Sequence, residues 1–243
     1  MLRRLYTATA GMASEMSSIE LLTNNVANAN TIGYKQDFDA LLRQAANPLS
    51  YGEGGLVRGT GMLSVKSSVD VVQGTLHTTS NPYDLALQGV GMFGLQVPGG
   101  VAYTRNGRFS LSASGQLTTE GGNVVLDANG RPLQLPDPQG QPVTIKGDGT
   151  ILEGGTIVGK IGVFNAPNWA KVGNALFTPL NGTATVITTN DIKQGELEEG
   201  NVDLAQTMTA IMNAERSYEA ASQFQRTQDQ VLQQSVNDLG RLQ

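Results

Sequence analysis

Both ends of this chain carry the apolar spacing of a helix, and the long stretch between them is punctuated like a series of strands. At the front, Leu2, Leu5, Thr9, Met12, Met16, Ile19, Thr23 and Val26 step by three and four residues, a heptad-type seam diluted by two threonines. At the back, Leu204, Met208, Ile211, Ala214, Tyr218, Ala221, Phe224, Val231, Leu239 and Leu242 continue a looser stripe. At about 1.5 Å per residue, the second helix would run to ~60 Å, longer than the core of a compact domain. Ends of this kind can pair with each other or with the ends of neighbouring copies.

The middle reads as β. Asn106-Gly107, Asn129-Gly130, Asp148-Gly149 and Asn181-Gly182 each sit beside apolar or alternating runs, and such pairs favour the tight turns of antiparallel hairpins. Candidate strands are Leu85 to Leu87, Phe93 to Val97, Val101 to Thr104, Val124 to Leu126, Thr144 to Ile145 and Ile157 to Phe164. The first helix should stop near Ala27, where Asn28-Ala29-Asn30-Thr31-Ile32-Gly33 supplies turn geometry. Phe38, Leu41 and Leu42 are expected to extend helical structure before Asn47-Pro48 breaks it. The glycine- and serine-rich run from Ser50 to Ser68 reads as an extended connector with one strand. The expected fold class is therefore α+β, with N- and C-terminal coiled-coil-type helices flanking a central all-β domain of antiparallel strands. Residues 1–45 and 200–243 would form a paired helical domain, 46–68 the connector, and 69–199 the β domain.

Composition removes several functions. A formal charge of -5 with no basic cluster lacks the footprint of a nucleic-acid binder. With no cysteine there is no disulfide, thiolate metal site or thiol nucleophile. Arg3, Arg4 and the small residues Ala8-Thr9-Ala10 imitate a signal peptide, but the apolar stretch between them is too short and too rich in threonine to serve as one. No segment approaches the ~20 apolar residues that cross a bilayer, so no integral membrane segment is expected.

Catalytic chemistry is equally thin. Gly89-Val90-Gly91-Met92-Phe93-Gly94 matches a GxGxxG pattern, yet Pro98-Gly99-Gly100 follows where a phosphate-binding helix should begin. His77 is the single histidine, without an identifiable partner, and reads as a surface strand or loop residue. Glu196, Glu198 and Glu199 lack the alternating oxygen ligands and the glycine of a calcium loop, and read as a solvated face leading into the last helix. Asn181-Gly182-Thr183 fits a glycosylation triplet but also makes a turn. No enzyme, cofactor or metal is expected.

Three segments then carry a resemblance. Leu22-Thr23-Asn24-Asn25-Val26-Ala27-Asn28-Ala29-Asn30-Thr31-Ile32-Gly33-Tyr34-Lys35 resembles the N-terminal motif of the flagellar basal-body rod and hook proteins, with Asn25, Ala27, Asn28, Thr31, Gly33 and Lys35 at its characteristic positions. Gln73-Gly74-Thr75-Leu76, Asp84-Leu85-Ala86-Leu87, Gly89 to Phe93 and Tyr103-Thr104-Arg105-Asn106-Gly107-Arg108-Phe109 are similar to the family's β-domain motif. Leu197-Glu198-Glu199-Gly200-Asn201-Val202 and Ala214-Glu215-Arg216-Ser217-Tyr218-Glu219 resemble its C-terminal motif, in which Asn201, Val202, Arg216 and Tyr218 are the matching positions. Gly200, Glu215 and Met92 depart from the serine, glutamine and phenylalanine usual there.

Within that family the single β domain is most similar to the rod proteins, the distal-rod protein or its proximal-rod relative. The alternatives are a hook-type or other axial protein, and a coiled-coil adaptor outside the flagellum. The resemblance implies a structural subunit located in the flagellar basal body. It further implies passage through the flagellar export apparatus, polymerisation with copies of itself into a hollow helical shaft that transmits torque, and contact with neighbouring rod and hook proteins. The assembly seam would be Leu2, Leu5, Met12, Met16, Ile19 and Val26 at the front and Leu204, Met208, Ile211, Phe224 and Val231 at the back.

Overall fold

The computed structural model describes residues 2–42, 64–136, 142–173, 175–180, 182–188 and 191–240. In chain order the elements begin α1 (Leu2–Ala27), β1 (Asp37–Leu42), β2 (Ser64–Val69), β3 (Leu76–Thr78), β4 (Leu85–Gln88), β5 (Met92–Val97), β6 (Gly100–Thr104), β7 (Phe109–Leu111), β8 (Leu117–Thr119) and β9 (Val124–Val125). There follow β10 (Val143–Ile145), β11 (Thr150–Glu153), β12 (Thr156–Lys160), β13 (Val163–Asn165), β14 (Trp169–Gly173), β15 (Leu176–Pro179), β16 (Thr185–Val186), β17 (Asp191–Gln194), β18 (Glu196–Glu198) and α2 (Leu204–Gly240). The layout is α+β: a helix at each end and antiparallel strands between. Among the described residues no helix is long and apolar enough to cross a membrane.

Two compact units divide the chain. One comprises residues 1–26, 37–67 and 203–243, and the other 27–36 and 68–202. In the helical unit α2 starts on Asp203, whose carboxylate accepts the Gln206 amide at 3.0 Å and so satisfies one of the first free N–H groups. Phe38, Leu41 and Leu42, expected to be helical, lie in strand β1, which pairs with β2. That partner is remote in sequence. The start of the strand is fixed by Asn25, whose side-chain oxygen accepts the Asp37 amide at 3.0 Å and whose amide donates to the Asp37 carbonyl at 2.7 Å. Asn47-Pro48 and the connector from Ser50 to residue 63 lie outside the described residues.

The β unit is built on a sheet ordered β14-β15-β6-β5-β9-β8-β7, with β13 also pairing β5. A three-stranded sheet β10-β11-β12 and the pairs β4-β17 and β3-β18 complete it. Strand β5 is buried on both faces, and its alternation assigns the two halves of the core. Phe93 and Leu95 enter a cluster with Leu85, Leu87, Phe109 and Val125, in which the Phe93 and Phe109 rings meet edge to face at 5.2 Å. Met92 points the other way, among Tyr103, Phe164, Trp169 and Phe177. At roughly 1.5–3 kcal/mol per large buried side chain, these clusters dominate the unit's stability before conformational entropy is subtracted.

The turn expectations fare unevenly. Asp148-Gly149 joins the paired strands β10 and β11, and Asn129-Gly130 closes a short turn in which the Gly130 amide reaches the Asp127 carbonyl at 3.0 Å. Asn106-Gly107 makes no hairpin, because β6 and β7 lie at separate places in the sheet order. The glycine there serves close approach instead: a Cβ on Gly107 would stand 1.6 Å from the Leu85 carbonyl oxygen. Asn181 lies outside the described residues, and the strands flanking it, β15 and β16, pair with other partners. The run from Ile157 to Phe164 is two strands rather than one. Gly162 interrupts it where a Cβ would meet the Asp127 carbonyl oxygen at 2.3 Å.

Candidate functional site

The N-terminal motif leaves α1 through a tight turn, in which the Thr31 amide donates to the Asn28 carbonyl at 2.9 Å and the Tyr34 amide to the Thr31 carbonyl at 3.2 Å. Gly33 then takes a φ of 67°, a left-handed conformation that disfavours any side chain. Its amide donates to the Glu198 carbonyl at 2.7 Å. A Cβ at this position would stand 2.2 Å from the Asn106 backbone nitrogen and 2.4 Å from the Arg105 carbonyl carbon. Both the torsion and the close approach therefore require glycine.

Two residues on, Lys35 is completely buried, and its ammonium donates to Glu198 Oε1 at 2.6 Å and to the Val72 carbonyl at 2.6 Å. Arg105 approaches the same carboxylate from the end of β6, its Nη1 donating to Glu198 Oε2 at 2.9 Å and to the Leu87 carbonyl at 3.1 Å. Its Nη2 donates to the Gly89 carbonyl, and the Gly74 amide reaches Glu198 Oε1 at 2.9 Å. One carboxylate is thus gripped by two cations and a backbone amide, drawn from the N-terminal, middle and C-terminal motifs. Burial pushes the Lys35 ammonium below its ordinary value, against the upward pull of Glu198. Burial likewise lowers Arg105 against the same carboxylate.

A neutral clamp lies next to this ionic one. Asn201 accepts the Gln36 amide at 2.8 Å and donates to the Asp70 and Val72 carbonyls at 3.0 and 3.1 Å. Tyr34, buried, lies under the Lys171 ammonium at 3.8 Å from its ring centroid, and that ammonium donates to the Lys35 carbonyl at 3.3 Å. Gly200 closes the arrangement: a Cβ there would come 2.7 Å from the Ala29 carbonyl oxygen, so its lack of a side chain suits this close approach.

Gly33, Lys35 and Asn201 converge at this junction, with Asn28 and Thr31 shaping the turn that leads in. Val202 is half-buried where the chain leaves it, and Ala27 is exposed at the end of α1. Asn25 acts in the helical unit through Asp37, while Arg216 and Tyr218 lie on α2, exposed and half-buried respectively. Of the expected seam, Met12, Ile19, Val26 and Ile211 are half-buried, and Met16, Leu204, Met208, Phe224 and Val231 are exposed. Leu2 and Leu5 lie in α1, with side chains outside the described residues.

Sequence reasoning missed Arg105, Glu198, Tyr34 and Lys171 as members of the junction. It placed Glu198 on a solvated acidic face, and the structure corrects this: Glu198 ends strand β18 and is fully buried. Alternation gave no signal for this, since it sets Glu198 on the face opposite Leu197 and the strand buries both. Nothing local says that a lysine and an arginine far upstream complete it. The GxGxxG run covers the turn between β4 and β5 and the first residues of β5, and strand β6 rather than a helix follows. His77 is exposed in β3 opposite Leu197. Among the described residues no group of histidine and acidic side chains could hold a metal ion.

Three family models match this chain. Residues 5–35 match the flagella basal body rod protein model, residues 86–153 the flagellar hook protein FlgE/F/G D1 domain, and residues 193–239 the flagellar basal body rod FlgEFG protein C-terminal region. The flagellar basal-body rod protein FlgF of Mesorhizobium japonicum is 32% identical, over 97% of this chain and 97% of its own length. FlgF of Caulobacter vibrioides is 31% identical over 98% of each chain. FlgG of Bacillus subtilis, also a flagellar basal-body rod protein, is 32% identical over 98% of this chain and 99% of its own. With relatives of this identity along its whole length, the chain belongs to the flagellar basal-body rod proteins, the structural proteins of the flagellum's basal body.

Proposed function

We propose that this chain polymerises with copies of itself and with neighbouring rod and hook proteins into a hollow helical shaft that transmits torque, after passing through the flagellar export apparatus. The observation that carries the reading is the apolar surface of α2. Leu204, Met208 and Met212, spaced four apart, are 45%, 47% and 50% exposed, and Phe224 and Val231, seven apart, are 52% and 48% exposed. These large side chains leave apolar surface exposed on two faces of a helix of 37 residues, one around residues 204–212 and the other around 224–231. Met16 on α1, 54% exposed, is the corresponding feature at the other end. Copies joined head to tail by a rotation that does not close give an open filament.

In this reading helices α1 and α2 supply coiled-coil contacts between subunits, and the β unit of residues 27–36 and 68–202 forms the outer body. The junction residues Gly33, Lys35 and Asn201 hold the N- and C-terminal motifs together within the β unit. Lys35, Arg105 and Glu198 are committed to one another, and the role is structural rather than enzymatic. Alignments to the two FlgF relatives span 247 and 246 positions and that to the Bacillus FlgG 262, against 243 residues here. The shorter alignments favour the FlgF type over the FlgG type.

The test is a full-length chain carrying Met208→Glu and Phe224→Glu, expressed in a flagellated host deleted for the native copy. It should leave the unfolding of the β unit unchanged and abolish incorporation into isolated basal bodies. Electron cryomicroscopy that still located the variant along the rod would overturn the reading.

A further inference from the structure

The charges of the buried ionic cluster at the junction are unequally distributed along the chain. Lys35 and Arg105 are both upstream and both cationic, and the carboxylate between them comes from residue 198, after every other strand of the unit. Until Glu198 arrives, the two cations in the cavity are bonded only to the carbonyls of Val72, Leu87 and Gly89, and the Asp70 carboxylate is the one other acid that acts on Lys35. Carbonyl dipoles and one carboxylate that bonds neither cation do not neutralise an ammonium and a guanidinium, and removing unpaired charge from water is strongly unfavourable. The cavity must therefore stay hydrated, and residues 31–36 cannot settle onto the sheet while it is.

We propose that Glu198 is a charge latch that makes docking of the N-terminal motif conditional on docking of the C-terminal strand β18. Closure of the two is a single event, and it comes last. The sheet from β5 to β15 consists largely of neighbouring hairpins and can form beforehand, but residues 31–36 and 196–202 lock together or not at all. In a chain that emerges N-terminus first, the junction stays open until nearly the whole chain is out. The device follows from the order of charges along the sequence and does not depend on the polymer reading.

Pulse-labelled amide exchange during refolding of the full chain from urea tests this. The Asp70 amide, bonded to the Gln36 carbonyl at 2.9 Å, reports docking of the N-terminal motif; the Glu199 amide, bonded to the Thr75 carbonyl at 2.9 Å, reports the C-terminal strand; and the Leu126 amide, bonded to the Gly94 carbonyl at 2.9 Å, reports the sheet. Asp70 and Glu199 should gain protection in one phase that follows Leu126. Protection of Asp70 in a phase ahead of Glu199 would overturn the latch.

Variants separate charge from shape. In full-length Glu198→Gln, native-state protection at Asp70 should fall about tenfold or more, although Asp70 makes no bond to residue 198. In Lys35→Met/Glu198→Gln, where a single cation remains, it should recover most of that loss. If the double variant protects Asp70 no better than Glu198→Gln, whether or not the single variant folds, the coupling is not one of charge and the proposal fails.

Discussion

Replacing Gly33 with alanine separates the two demands made on that residue. Its φ of 67° costs an L-residue about 1–2 kcal/mol. The added Cβ would also lie 2.2, 2.4 and 2.6 Å from three backbone atoms of Arg105 and Asn106. Backbone cannot rotate away as a side-chain tip can, so a shift typical of overpacking adds about 1–3 kcal/mol. The sum of about 2–5 kcal/mol is a large share of a stability of order 5–15 kcal/mol. At about 2–4 °C per kcal/mol for a chain of this size, the melting temperature should fall by about 4–20 °C. Gly122 is the control, with a φ of 76° and nothing within 4 Å of its hypothetical Cβ. Gly122→Ala should therefore show the torsional part alone. The assay is thermal unfolding followed by fluorescence of the single tryptophan, Trp169, which is buried in the second core cluster of the same unit. If Gly33→Ala melts at or above the temperature of Gly122→Ala, the close approach at Arg105 and Asn106 is not a constraint and the reasoning fails.

Gly107→Ala should destabilise at least as much as Gly33→Ala although the φ of Gly107 is not in the left-handed region, because its Cβ would overlap the Leu85 carbonyl; the same melting experiment decides, and a milder effect would refute it. Asn201→Ala strips partners from the Gln36 amide and from the Asp70 and Val72 carbonyls, and should cost about 1–3 kcal/mol in urea unfolding; a loss below about 0.5 kcal/mol would mean water replaces the side chain without penalty. Lys35 sets an alkaline dependence. Its folded pKa lies below the ordinary 10.5, so between the lowered value and 10.5 the unfolded chain binds more protons and stability rises with pH. The stability of the wild type relative to Lys35→Met should accordingly increase from neutral pH toward 10.5, and a flat or falling difference would contradict the assignment.

Local pattern carried the parts of the fold that are local. Strands β4, β5 and β6 were legible because Leu85 to Leu87, Phe93 to Val97 and Val101 to Thr104 are apolar or alternating and bounded by glycine, and the helix stop after Ala27 was legible from its asparagines. Phe38, Leu41 and Leu42 were misread as helical because what makes them a strand is pairing with β2 and the Asn25 clamp on Asp37, neither of which shows in the segment's own spacing. The same limit hid half of the junction. Gly33, Lys35 and Asn201 came from the motif resemblance, whereas Glu198 looked like one of several surface acids until folding brought it 2.6 Å from Lys35 and 2.9 Å from Arg105. A charged residue discloses its burial only when its partners are known, and these partners lie 163 and 93 residues away.

The N-terminal motif is continuous in sequence but divided in what it stabilises. Asn25 spends both ends of its side-chain amide on Asp37, inside the helical unit, and fixes where strand β1 begins. Gly33 and Lys35, only a few residues on, belong to the β unit and are bound there by Glu198. The chain therefore passes from one unit to the other after Val26 and returns after Gln36. A segment that serves two units has little freedom to change, because a substitution suited to one is constrained by the backbone path of the other. The C-terminal motif is divided in the same way, with Glu198 and Asn201 in the β unit and Asp203, which caps α2, in the helical one. Each terminal motif thus contributes residues to both units, and the two motifs meet each other within the β unit through backbone hydrogen bonds and a buried ion pair.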